Sequence, residues 1–237
     1  MTDRQTSNVP MAISDIIAAE IAATKNAIVE SGADAIRTNG NQNFILPGSS
    51  IPATSIRGVI VDFLTENKYY DRPYNKNNPT PPACFAIGAN LDSMAPHEKS
   101  PVPQSEVCKG CPQNEWGSDP QGGRGKACKN ARLIAIKPID EEGNIAEDAP
   151  IWKYAIPPAS IKYFDKYIKD LMLQNTLNFA VVTEMTLDPD QTWAAPRFHM
   201  ERNLSEEEAI SALSDRDRAR ALLIVPPDVS SFTQKSR

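Results

Sequence analysis

Proline limits this chain more than any other residue. Most of the twenty prolines fall in the first two thirds of the 237 residues. Each fixes φ and removes a backbone donor, so that region is expected to form loops and strands rather than long helices. The restriction is tightest in KYYDRPYNKNNPTPPACF, where Pro73, Pro79, Pro81 and Pro82 forbid regular structure. An irregular loop that long inside a compact domain is commonly functional.

Around it the pattern alternates between strand and helix. Residues 1–12 read as a flexible arm. SDIIAAEIAATKNAIVES follows as an amphipathic helix, capped by Ser14, with Ile17, Ile21 and Ile28 on one stripe and Gly32 as its stop. AIRTNGNQNFILPG predicts a hairpin turning at Asn39-Gly40. SIRGVIVDFLTEN from Ser55, ARLIAIKPI from Ala131 and IWKYAIP from Ile151 predict strands, as do NFAVVTEMTL and TWAAPRFHMER on either side of Asp188-Pro189-Asp190. ASIKYFDKYIKDLMLQ predicts a helix whose apolar face is Ile161, Phe164, Ile168, Leu171 and Met172. SEEEAISALSDRDRARALL opens on the capping-box pair Ser205 and Glu208 and predicts one further helix. Strand and helix do not alternate regularly, and no Gly-rich turn joins a strand to a helix. The expected class is therefore mainly β with helices (α+β): a five-stranded barrel with peripheral helices. It would occupy residues 13–225, with a Cys-rich insertion at about 84–130 and a flexible tail at 226–237.

The insertion holds all four cysteines. Cys108-x2-Cys111 has the spacing of half a zinc knuckle, and Cys128 is a natural third ligand. Cys84 is preferred as the fourth because thiolate is the stronger zinc ligand, with His97 as the alternative. Four such ligands leave no open position, so the expected cofactor is a structural Zn2+. It would stabilise a segment too polar to fold unaided. A redox role for the Cys-x-x-Cys pair fits less well, because Pro112-Gln113-Asn114 starts no apolar helix.

Charge points to a partner. Between Lys99 and Lys137 seven basic side chains stand against three acidic ones, a local +4 in a chain of net charge −5. Arg124, Lys126, Lys129 and Arg132 surround the third cysteine. The proline-rich loop adds Lys68, Arg72 and Lys76 among Tyr69, Tyr70, Tyr74 and Phe85, and Trp116 lies between them. Single strands are held by bases stacked on aromatics and phosphates tracked by cations, and these two segments offer both. No nucleophile–base pair or open metal motif occurs, so no enzyme is expected. The alternatives are a zinc-stabilised protein-interaction module, such as an inhibitor or assembly factor, and a metal-dependent nuclease using Asp92 or Glu98. No small-molecule substrate is indicated. No apolar run approaches the roughly 20 residues of a membrane span, and MTDRQTSNVP does not read as a signal peptide.

The order of a Cys-rich insertion, ARLIAIKPI, an acidic spacer, IWKYAIP and IKYFDKYIKDL resembles the single-stranded-DNA-binding, helix-destabilising proteins of tailed bacteriophages of the T4 type. KYYDRPYNKNNPTPPACFAIG, CKGCPQNEWGS and GGRGKAC also resemble phage proteins. The likeness covers about residues 55–210. It implies an OB-fold core, a structural zinc, a basic aromatic cleft, and non-catalytic binding and protection of single-stranded DNA in replication or recombination. The setting would be the cytoplasm of an infected bacterial host. Members of that family recruit replication proteins through an acidic C-terminal tail. Residues 230–237 are not acidic, so that recruitment is not carried over.

Overall fold

A fifteen-residue strand organises the molecule. In the computed structural model, which describes residues 34–39, 42–73, 75, 77–146 and 148–233, SIRGVIVDFLTENKY forms one continuous strand. Its β-branched and aromatic residues suit a pleated surface packed on both sides. The expected arm at 1–12 and the helix from Ser14 lie outside the described residues.

The strands are β1 (Arg37–Thr38), β2 (Phe44–Ile45), β3 (Pro52–Ala53), β4 (Ser55–Tyr69), β5 (Cys84–Gly88), β6 (Cys128–Pro138), β7 (Trp152–Ile156), β8 (Val181–Leu187) and β9 (Pro196–Asn203). The helices are α1 (Ile161–Leu173), α2 (Glu206–Ser214) and α3 (Arg216–Leu223). The strands β1, β2 and β3 make a small antiparallel sheet, and the predicted hairpin is its β1–β2 pair. The other six form one sheet in the order β7-β6-β4-β8-β9, with β5 also paired to β4. Every strand pair is antiparallel.

Strand β4 is long enough to serve three partners. Along one edge it pairs with β6 from Gly58 to Tyr69. Along the other it pairs with β8 over Ser55–Gly58 and with β5 over Thr65–Tyr69. Between those two partners Asn178 covers the exposed edge, its Nδ2 donating to the Ile60 carbonyl at 2.6 Å. Gly58 is required by the close approach of β6: a Cβ there would lie 2.5 Å from the Lys137 carbonyl oxygen. The sheet does not close, so the expected five-stranded barrel is corrected to an open six-stranded sheet in an α+β fold.

Both faces of the sheet are covered. Ile134 and Ile136 of β6 point to the face where Phe164, Tyr167 and Leu171 of α1 pack. Leu133 and Ala135 point to the opposite face, against Ala219 and Leu223 of α3. The predicted final helix is two helices, broken at Asp215. The Asp215 carboxylate accepts from the buried Lys137 Nζ at 2.7 Å and from Arg218 at 2.8 Å. Asp62, beside a bulge in β4, binds Arg220 of α3 through both carboxylate oxygens. Residues 226–233 form neither helix nor strand.

Candidate nucleic-acid interface

The α1 face of the sheet continues past the start of α1, where no helix of the described residues covers it. Thr65 and Asn67 of β4 and Asn130 and Arg132 of β6 form the floor there. The Cys-rich loop makes one wall with Lys109, Asn114, Trp116 and Lys126. The start of α1 and the β8–β9 loop make the other with Lys162, Tyr163 and Trp193. The groove between them is open to solvent and measures about 1130 Å³.

Its aromatic groups are unusually open. Trp116 is 78% exposed and Trp193 49% exposed. Lys126 Nζ lies 5.1 Å from the Trp116 ring centre and donates to Asn114 Oδ1 at 3.3 Å. The Arg197 guanidinium lies 3.6 Å over the Tyr163 ring, with Lys162 4.8 Å from the same ring centre. Five cationic side chains line the groove against three acidic ones.

Most of those cations are already partnered. Arg132 binds Asp165 by two parallel bonds of 3.0 Å and also donates to Thr65 Oγ1. Lys129 pairs with Asp119 at 2.6 Å, and Lys109 with Asp92 at 2.7 Å. The Lys129 side chain holds Asp119 below the usual carboxylate range, as Lys109 does Asp92. Lys126 and Lys162 form no ion pair among the described residues.

Of the binding residues expected from sequence, Trp116, Lys126, Lys129 and Arg132 come together in this groove. Arg124 is exposed but does not line it. The proline-rich loop contributes none of its described residues to the lining. Lys68 pairs with Glu66 at 2.8 Å. Tyr69 faces a small cavity elsewhere, and burial raises its hydroxyl pKa. Tyr70 is 38% exposed. Arg72 donates to the Thr233 carbonyl and lies 3.8 Å from Asp71. Phe85 is buried and stacks on His97 with ring centres 5.0 Å apart. Tyr74 and Lys76 lie outside the described residues. Sequence reasoning passed over Trp193, Tyr163 and Lys162. A tryptophan in the turn-rich DPDQTWAAP and a Lys-Tyr pair off the apolar stripe of α1 were the available signals.

The zinc expectation is corrected. Among the described residues no group of three or more His, Cys, Asp or Glu is placed to hold a metal ion. Cys84, Cys108, Cys111 and Cys128 are free, buried thiols around a cavity of about 20 Å³. Burial pushes the Cys84 and Cys108 thiols up, and Cys128 is pushed up to about 12, first by burial and then by its neighbouring thiols. His97, the alternative ligand, accepts from the Lys99 N–H through Nδ1 at 3.1 Å.

Backbone bonds tie the insertion to the start of β5 and within itself. His97 N–H donates to the Phe85 carbonyl at 2.8 Å, Val102 to Ala83 at 2.7 Å and Cys108 to Met94 at 2.7 Å. The Ser100 hydroxyl bridges the N–H and carbonyl of Phe85 at 3.0 and 2.9 Å. Ala86, Met94 and Cys108 pack as a small separate core. No described helix is long and apolar enough to cross a membrane. Compared with known proteins, the chain matches no family, no characterised protein and no solved structure.

Proposed function

We propose that this chain binds single-stranded DNA without catalysis, in the groove between the Cys-rich loop and the start of α1, and protects it during phage replication or recombination. The observation that carries this reading is the pair of open tryptophans, Trp116 and Trp193, in one groove with Lys126 and Lys162. Unpaired bases expose the faces that such rings stack on, whereas duplex bases do not. The acids Asp92, Glu115 and Asp165 around the same groove disfavour the denser charge of a duplex. The reading does not depend on a closed OB barrel, because the groove lies on an open sheet.

Two to four phosphate contacts follow from two unpaired lysines and two that can be released from carboxylates. At about 0.7 per contact on a single strand, the salt slope is about −1.4 to −2.8. By the same relation affinity falls about 7- to 50-fold between 50 and 200 mM salt. Anisotropy of a labelled mixed-sequence oligonucleotide, single- and double-stranded, measures both. The expected result is single-strand preference with that slope and quenching of tryptophan fluorescence. Equal affinity for the duplex, or no binding at 50 mM salt, overturns the proposal.

A further inference from the structure

Three asparagine side chains meet where the groove floor joins its Cys-rich wall, and their hydrogen bonds fix which way each amide faces. Asn114 Nδ2 donates to the Cys108 carbonyl at 3.2 Å. Its Oδ1 must therefore be the atom that accepts from Lys126 Nζ at 3.3 Å and from Asn130 at 3.1 Å. The Asn130 atom facing it is then necessarily Nδ2, which also donates to Asn67 Oδ1 at 2.6 Å. Both amide hydrogens of Asn130 are committed. An amide normally has an ambiguous orientation, but here the network leaves one choice.

What Asn130 has left is its carbonyl oxygen. Among the described residues Oδ1 has no hydrogen-bond partner, and it is not sealed from solvent. The side chain lines the groove at the level of Lys126 and Trp116.

We infer that Asn130 is a base-reading residue, whose oriented acceptor selects unpaired bases carrying an exocyclic amino group. This inference rests on the groove being the single-strand site. Cytosine offers the N4 amino donor, whereas thymine offers only the O4 acceptor at the equivalent position. A thymine edge placed there sets two acceptors against each other and leaves both unpaired, which costs more than a neutral missing contact. The groove therefore discriminates between two pyrimidines of similar stacking surface.

The test compares labelled oligo(dC) and oligo(dT) of equal length, at one salt concentration and at a pH where cytosine is neutral. The expected result is about fivefold tighter binding of oligo(dC), the size of one hydrogen bond. Asn130→Ala should abolish the preference while oligo(dT) affinity changes less than oligo(dC) affinity. Asn130→Asp turns an oxygen toward Asn67 Oδ1 and Asn114 Oδ1, breaks the network that orients the acceptor, and should lose the preference as well. Both variants are checked for the wild-type circular dichroism spectrum and melting profile. Oligo(dT) bound as tightly as oligo(dC) by the wild type, or a preference unchanged in Asn130→Ala, overturns the base reading and leaves single-strand binding standing. Failure to bind either oligonucleotide overturns both.

Discussion

Lys126 and Trp193 act on a bound strand through different forces, so they can be separated. Lys126 carries charge into the groove, where it faces Trp116 and Asn114 rather than a carboxylate. Trp193 carries a large apolar face and no charge. Lys126→Ala should reduce the salt slope by about 0.7 and weaken every sequence alike. Trp193→Ala should weaken binding by about 1–3 kcal/mol with the slope unchanged. A titration at four salt concentrations reads both, and a slope that falls equally in the two variants would rule out this division of roles. Lys126 and Trp116 were legible in the sequence because a Gly-rich basic loop announces itself. Trp193 was not, because its place in the groove depends on the β8–β9 turn folding back beside the start of α1, about seventy residues from the Cys-rich loop in sequence. The thiols misled for a related reason. Their spacing is that of a zinc knuckle, but it does not report whether the side chains converge in ligand geometry or sit as separate buried thiols around a small cavity.

At the level of elements, local signals were read well where one interaction decides them. The capping box is an example. Ser205 accepts from the Glu208 N–H at 3.2 Å, and Glu208 accepts from the Ser205 N–H at 2.8 Å. Glu208 also receives both guanidinium nitrogens of Arg202. The Arg202 side chain first, and the Ser205 backbone second, lower the Glu208 pKa to about 2. A carboxyl depressed in the folded state stabilises fully above its unfolded pKa, and the contribution is lost as pH falls through the folded value. The loss therefore runs from about pH 4.5 down to about 2, the ordinary glutamate value and the lowered one. Because the pair is partly exposed, screening reduces the effect to about 1 kcal/mol. Glu208→Gln should melt below the wild type at pH 7, and the two should converge near pH 2 in thermal scans. A gap that persists at pH 2 would mean that the carboxylate charge is not the cause. What local pattern did not show is the break at Asp215, because the charged run continues in Arg, Ala and Leu on its far side. The break follows from Lys137 and Arg218, which both bind the Asp215 carboxylate. The strand β5 was equally hidden, because its partner in β4 had already been read as complete at Asn67.

For the whole molecule, the sheet separates two tasks. Its α1 face runs on into the groove, through Thr65, Asn67, Asn130 and Arg132. Its α3 face carries Leu133, Ala135 and Leu64 against Ala219 and Leu223. The patterns of β4 and β6 made the strands legible, but the open sheet was not, because barrel closure depends on which edges find partners and not on the content of any strand. Leu223 is fully buried in the cluster on the opposite face of the sheet and does not line the groove. Leu223→Ala should cost about 2–5 kcal/mol by leaving a cavity under α3. Binding of a single strand, measured well below the melting transition, should not change. Arg132→Ala should do both: it removes a groove cation and also leaves Asp165 and Thr65 without the guanidinium that joins α1 to β6 and β4. Denaturant melts and oligonucleotide titrations on the same two preparations provide the check. If Leu223→Ala weakened binding in proportion to its loss of stability, the two faces would be coupled, and the groove would depend on the α3 layer rather than on the sheet alone.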